Sequence, residues 1–531
     1  MPDIQENQSG DYTEMPRNLV PMIYLLFGGL IIICNILFAS YFPIINDEAY
    51  YLAFAKSMQL SFIDSPPFVA YLTYLQAELG YTQPLILRFF VILLHFLSTM
   101  FLLLIVKNNS NNDKFLFEKL FVTFLLAYIV PAFGVTSFFI LPDCGLFFSL
   151  SLMLWVVDKV HREKELSILY SLLLGVGLGI GLLSKYHIMP LGGGLLLGLY
   201  LDLVFIKKTF CINILLKLII CLLLGLLIAA PVWVWNYNNH YASFIFQLEH
   251  GYYSTQWRLQ HALIFLIGVS LYLTPWVAYF LLKNGLFKNI KFYLLIPASS
   301  LFLILIISSL RTKALPHWLT PVFWLLIPYA VLYTPRLQRI KKIAAYTMII
   351  WIPILLILLL PEGMNNIKKI SKLINPDTSY LADLLLWDDI KKYTSKNASA
   401  QQMLTNLSQT QRYECKRKTP LIGTARWYWA AQLEQIFQDK YKVLNLDQNS
   451  SNFYNWRDNL VEYANCPIVL FVPFKKVSDL EKIININNYH IINDAELVDY
   501  SSLQIAMIDA TLKSREVLIA IQEDLLNNPR Y

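Results

Sequence analysis

Residues 46–51, Asn-Asp-Glu-Ala-Tyr-Tyr, and residues 62–68, Phe-Ile-Asp-Ser-Pro-Pro-Phe, decide how this chain is read. They follow the first long apolar run, so they stand just outside one face of a membrane. Asn46 reads as the N-cap of a helix that carries Asp47 and Glu48 in its first turn, where the helix dipole favours negative charge. That helix should end near Leu60. Asp64 or Ser65 then caps a second helix, with Pro66 and Pro67 in its first turn. Phe68, Leu72, Leu75 and Leu79 follow at spacings of four, three and four, an apolar stripe suited to the membrane interface. Three carboxylates are thereby gathered in one short loop.

Outward from this loop the chain is mostly apolar. Of 531 residues, 56% are hydrophobic and 15% charged, which excludes a water-soluble globular protein. Eleven intervals, roughly 19–41, 85–106, 118–133, 136–157, 167–184, 187–206, 213–235, 261–282, 292–310, 319–335 and 343–361, read as membrane spans. Residues 1–18 are polar, contain acids and lack the basic start of a cleaved signal, so they are expected to be a cytoplasmic tail before a retained helix. In that orientation the inner segments carry sixteen Lys and Arg, and the outer segments before residue 362 carry six. A bias of that size sets the topology. It also accounts for the formal net charge of +7 without a nucleic-acid partner.

This topology gathers Asp47, Glu48, Asp64, Lys185, His187, Glu249, His250, Arg311, Lys313 and His317 on the outer side. Asp143 stands at the outer start of the fourth span and Arg88 just inside the second. Ionisable groups at that depth are paired or functional. The turns Lys185-Tyr186-His187 and Arg311–Trp318 place bases where the positive-inside tendency disfavours them. Their partner is either an acid of the 42–84 loop or a phosphate. His250 is either a solvated loop residue or, with Asp64, part of a divalent-cation site. Gly175, Gly177, Gly179 and Gly181 look like a phosphate loop only superficially, since they lie within a span where glycine permits close helix packing. The chain has no Walker A, zinc-protease or nucleophile-elbow motif.

Residues 362–531 are richer in charge and Asn and contain no spanning run. Pro467–Pro473 and Leu503–Ile508 read as strands and Tyr428–Gln438 as a helix, so this part is expected to be a small extracytoplasmic α/β domain. Cys415 and Cys466 both fall in it, where an oxidising compartment would allow them to pair. No internal repeat is evident.

In these motifs the chain resembles the GT-C membrane glycosyltransferases. It is similar to the dolichyl-phosphate-mannose protein mannosyltransferase family in its bacterial branch, which includes lipid A aminoarabinose transferases and lipopolysaccharide-decorating enzymes. The resemblance rests on Asn46–Tyr51, Phe62–Phe68, Leu141–Asp143, Leu183–His187, Pro231–Asn236 with Phe246–His250, and Lys313–Trp318; residues 420–474 also resemble the outer domain of bacterial members. It implies a multi-pass α-helical GT-C domain over 19–361, followed by the α/β domain at 362–531. By that resemblance Asp47 corresponds to the essential acid, with Asp143 a further family acid. Asp64 and His250 correspond to positions associated with a bound metal. Ser65 departs from the Lys that aminoarabinose transferases carry before Pro-Pro.

The implied chemistry moves a sugar from a polyprenyl-phosphate donor to an extracytoplasmic lipid or glycan acceptor, with inversion at the anomeric carbon. Asp47 is expected as general base, with Glu48 and Asp143 beside it. Arg88, Lys185, Arg311, Lys313 and His317 are expected at the donor phosphate, and a divalent metal ion at Asp64 and His250. A protein O-mannosyltransferase is the rival within the class. A flippase or transporter would instead need polar groups through the spans to both sides.

Overall fold

The computed structural model describes residues 19–79, 83–111, 113–207, 212–252, 256–288, 290–334, 387, 390–392, 394–396, 398–414, 419–424, 426–446, 452–474, 489–491, 496–500 and 503–512. Helix α1 (Leu19–Tyr41) leads into the loop helices α2 (Asn46–Lys56) and α3 (Phe68–Glu78), and α4 (Pro84–Asn108) re-enters the bundle. Next, α5 (Leu116–Ile129) bends by 72° into α6 (Pro131–Gly134), before α7 (Asp143–Glu163), α8 (Ile168–Ser184) and α9 (Ile188–Lys207). Helix α10 (Ile212–Ile228) bends by 57° into α11 (Ala230–Asn238), which is followed by α12 (Ala242–Tyr252). Then α13 (Leu259–Leu273) turns by 92° into α14 (Pro275–Phe280), and α15 (Phe292–Arg311) and α16 (Thr320–Leu332) follow.

Among the described residues five helices are long and apolar enough to span a membrane, or eight when each bent pair counts as one span. Helix α8 and residues 316–332 are shorter apolar helices, and the expected interval 343–361 lies outside the described residues. The protein is a multi-pass membrane protein. The bends have a common cause: Pro131, Pro231 and Pro275 each lie in the first turn of the second half of a pair, where proline supplies no N–H to the preceding turn. At the sharpest, Thr274 adopts a φ of 65°, rare for a β-branched residue.

The glycines of α8 are there for packing. A Cβ at Gly175 would lie 2.9 Å from Cys221 O, and one at Gly179 would lie 2.6 Å from Ile228 Cβ, both on α10. One at Gly177 would meet Met153 of α7 at 2.7 Å. Helix α8 is thus wedged between two neighbours at a separation that only glycine allows. Gly198 plays the same part between α9 and α15, since a Cβ there would run into the backbone of Phe292 and Tyr293. Backbone cannot step aside as a side chain can, so Gly198→Ala should cost about 1–3 kcal/mol. Thermal unfolding of the detergent-solubilised protein would show the loss. A Gly198→Ala variant melting like the wild type would mean that α9 and α15 are not seated this closely.

The C-terminal part contains α17 (Ala398–Glu414), β1 (Leu421–Thr424), α18 (Trp427–Phe437), β2 (Lys442–Asn445), α19 (Phe453–Arg457), β3 (Pro467–Phe474), β4 (Tyr489–Ile491), β5 (Glu496–Tyr500) and β6 (Leu503–Leu512). The sheet runs β2-β1-β3-β6-β4, with β5 also on β6; β1 is parallel to both β2 and β3, and β6 is antiparallel to its neighbours. Helix α18 is the crossover from β1 to β2, and it packs on α2 of the loop. Ala49, Tyr50, Ala53, Phe54 and Phe62 share one apolar core with Ile422, Trp429, Leu433, Phe453 and Val469. The loop is therefore clamped between the bundle and this sheet.

Three local expectations are corrected by this clamp. Asn46 does not cap α2. The cap position is Ile45, whose N–H donates to the Glu48 carboxylate, while Asn46 Oδ1 accepts from Trp387 Nε1 at 3.0 Å and Gln432 Nε2 at 3.1 Å. Helix α2 also ends at Lys56 rather than near Leu60. Helix α3 begins at Phe68 with Pro67 at its cap position, so Asp64 and Ser65 are free of capping duty. Cys466 is disulfide-bonded, and its expected partner Cys415 lies outside the described residues.

Candidate active site

Five of the expected residues converge at the end of the bundle where α7, α8 and α9 meet the loop. Asp47, on the first turn of α2, is solvent-accessible, yet protein surrounds it closely enough for desolvation to be the main force on its carboxyl. Asp47 is therefore accessible and yet closely flanked by the charged groups of the bundle. Desolvation, Glu48 and Asp143 all push the Asp47 pKa up, against a smaller opposing pull from Lys185. Asp143 opens α7 and is buried; Lys185, in the turn after α8, reaches both of its oxygens at 2.9 and 3.0 Å. His187 and His317 lie within electrostatic reach of that pair. Desolvation lowers His187 to about 3, so it is a neutral imidazole at ordinary pH.

Lys185 therefore has an acid partner, and that acid is Asp143 rather than one of the loop. The pair occupies two of the three ammonium N–H groups and leaves one to point elsewhere. Lys313 is exposed on the neighbouring turn, and the Arg311 guanidinium sits over the Trp257 ring, 4.9 Å from its centroid.

Glu48 and Arg88 belong elsewhere. Both are fully buried and bound to each other at two points, Nε to Oε1 at 2.8 Å and Nη2 to Oε2 at 2.6 Å. Arg88 donates its other three N–H groups to the carbonyls of Ala39 and Phe42 (2.8 Å each) and Pro43 (2.9 Å). Glu48 also accepts from the N–H of Ile45 and of Ile140. All five guanidinium donors are spent on protein. The expectation that Arg88 holds a phosphate and that Glu48 takes part in catalysis is thus corrected: the pair ties the end of α1, the start of α2 and the approach to α7 into one node.

Asp64 forms a second centre beside the first. Tyr50 donates to Asp64 Oδ2 at 2.5 Å, and Gln247 of α12 donates to the Asp64 carbonyl at 3.0 Å. The other carboxylate oxygen, Oδ1, is buried without a hydrogen-bond partner, and desolvation raises this carboxyl to about 6. Tyr51 links the two centres, within electrostatic reach of Asp47, Asp64 and Asp143. Helix α12 also carries Glu249, with one buried, unpartnered oxygen, and His250, whose side chain lies outside the described residues. Among the described residues no three His, Cys, Asp or Glu converge as a metal-binding group. An orphaned carboxylate oxygen on Asp64 nevertheless fits a divalent cation as one ligand, with α12 close enough to supply another.

Sequence reasoning missed Tyr50, Tyr51 and Gln247, because a tyrosine among aromatic core residues carries no signal of its hydroxyl's partner. It also missed a polar cluster at the opposite end of α7. There Asp158 accepts from Tyr329, Asn109 and Arg162 at 2.9–3.0 Å. Fifteen residues of helix, about 22 Å, separate it from Asp143. Its groups satisfy one another, so it locks the bundle and does not extend the site.

This architecture is similar to solved structures of ArnT from Cupriavidus metallidurans. The one bound to undecaprenyl phosphate matches with a TM-score of 0.56 at 14% identity, covering 93% of this chain and 98% of that one. The apo form matches with a TM-score of 0.57 at 13% identity, covering 92% and 98%. The fold is that of the GT-C membrane glycosyltransferases. Residues 64–235 match the family model described as dolichyl-phosphate-mannose-protein mannosyltransferase, a stretch that contains Asp64, Arg88, Asp143 and Lys185. No curated protein matches it by sequence.

Proposed function

We propose that this GT-C chain transfers a sugar from a polyprenyl-phosphate donor to an acceptor on the outer side of the bacterial inner membrane, lipid A or another lipopolysaccharide or envelope glycan being the favoured acceptor. The observation that carries this reading is Asp47: an accessible carboxylate within electrostatic reach of the Asp143–Lys185 pair. The family match and the fold shared with a protein crystallised with undecaprenyl phosphate support the donor class.

The chemistry follows from the placement. The acceptor hydroxyl attacks the anomeric carbon from the face opposite the phosphate, the glycosidic bond to phosphate breaks, and the configuration inverts. Asp47 accepts the hydroxyl proton as attack proceeds, a contribution of about 10²–10⁴-fold for a well-placed base. Lys185, held at a fixed angle by Asp143, turns its remaining N–H to the departing phosphate with His317 close by, and Arg311 and Lys313 are proposed to add positive charge from the neighbouring turn. A divalent ion held by Asp64 and His250 would add positive charge against that leaving group.

Ser65 stands where aminoarabinose transferases have Lys, so this chain lacks that phosphate contact and we infer a hexose or pentose other than aminoarabinose. The matched family's own description keeps a mannosylated protein as the second reading. Membranes containing the chain, supplied with undecaprenyl-phosphate-linked sugars, should yield glycosylated lipid A or core oligosaccharide. Mass spectrometry of a deletion strain should show the same sugar missing. Unchanged envelope glycans together with lost glycopeptides would instead select the protein acceptor.

A further inference from the structure

The hydroxyl of Tyr50 occupies an unusual position. It donates to Asp64 Oδ2 at 2.5 Å and accepts from the Phe453 N–H at 2.8 Å, so it stands between the loop and the first residue of α19. A tyrosine hydroxyl has one proton. With Phe453 occupying its acceptor side, that proton is directed at Asp64 and cannot swing away. The donation from Phe453 also polarises the O–H bond, which strengthens the second hydrogen bond in the chain. The ring is held from the same side: Trp427 lies 4.4 Å from it, centroid to centroid, Tyr454 6.1 Å and Phe453 6.2 Å, all three in the C-terminal domain. Among the described residues of the bundle, Gln247 hydrogen-bonds Asp64, and it binds the main-chain carbonyl, leaving the carboxylate to Tyr50. One carboxylate oxygen is thus fixed by Tyr50, and the buried, unpartnered one is the one presented.

We propose that the C-terminal domain is a working part of the reaction centre, because through Tyr50 it sets the orientation of Asp64. Tyr50 is a positioning residue and touches no substrate. The proposal rests on the glycosyltransferase reading above, in which Asp64 belongs to the reaction centre. It explains why so polar a domain is packed on the loop instead of being carried on a linker.

The test is a double-mutant cycle on the full chain in membranes, with sugar transfer from an undecaprenyl-phosphate donor and limited proteolysis of the domain as two readouts. Tyr50→Phe keeps the ring and removes the hydroxyl; kcat should fall about 10–100-fold, the size expected for a hydrogen bond to a charged group, with donor KM little changed. Asp64→Glu moves the carboxylate past Tyr50, and in that background Tyr50→Phe should cost little more. Gln432→Leu cuts two other domain contacts, to Ile44 O and Asn46, and should leave transfer near the wild-type level. Additive losses from Tyr50→Phe and Asp64→Glu would overturn the proposal. So would a loss from Gln432→Leu equal to that from Tyr50→Phe, or a domain that Tyr50→Phe alone opens to protease. An inactive wild type would sink the glycosyltransferase reading and this proposal together, whereas an active wild type with an additive cycle would sink this proposal alone.

Discussion

Asp47→Asn should lower sugar transfer by about 10²–10⁴-fold, or roughly 3–5 kcal/mol of barrier, while donor binding and folding persist. Asn keeps the shape and the polarity but cannot take a proton. The side chain makes no cap, since the cap position of α2 is Ile45, so no helix stability is lost with it. The pH profile gives an independent check. A base works only when deprotonated, and the Asp47 pKa is raised, chiefly by desolvation and then by Glu48 and Asp143. Transfer should therefore decline as pH falls through that raised value, at a higher pH than for an ordinary carboxylate. The residual rate of the Asn variant should lack this limb. Near-normal transfer by Asp47→Asn, or an unchanged acid limb in the variant, would remove Asp47 from the base role. The fold and family match would be untouched.

What sequence could reveal here follows the length scale of each interaction. Spans were legible because hydrocarbon thickness imposes a run of about twenty apolar residues, a signal that needs no partner. The bends at Pro131, Pro231 and Pro275 were missed because a bent pair has the hydropathy of one straight span. Asp143 and Lys185 were placed on the same side by alternation alone, but their pairing across 42 positions needed coordinates. Glu48 shows the limit most clearly. Beside Asp47 in the chain it reads as the second half of an acidic pair, yet successive residues on a helix point about 100° apart. One therefore stays accessible beside Asp143 and Lys185 while the other faces Arg88. The role of Asn46 was hidden for a similar reason, since its partners Trp387 and Gln432 lie in the C-terminal domain. An N-cap motif is a local inference, and a distant donor took the side chain instead.

Arg88→Met should prevent the protein from folding stably, at a cost of about 3–5 kcal/mol, because it leaves the Glu48 carboxylate buried without its counter-charge. The three carbonyls of Ala39, Phe42 and Pro43 lose their donors in the same stroke. Methionine fills much of the volume of the arginine stem, so the loss is electrostatic and not a cavity effect. Glu48→Gln is expected to cost less, since the amide still offers an oxygen to Arg88 or to one of the two backbone N–H groups, but its NH₂ faces a donor. The double variant should recover part of the Arg88→Met loss, because the uncompensated charge is gone, though the carbonyls remain unpaired. Thermal unfolding and the yield of monodisperse protein from detergent extraction measure all three. If Arg88→Met instead accumulated normally and lost only its affinity for undecaprenyl phosphate, the guanidinium would be a phosphate ligand after all. The five bonds to protein would then have to open during turnover. A buried arginine with every donor spent argues the opposite, and stability is where its removal should be felt.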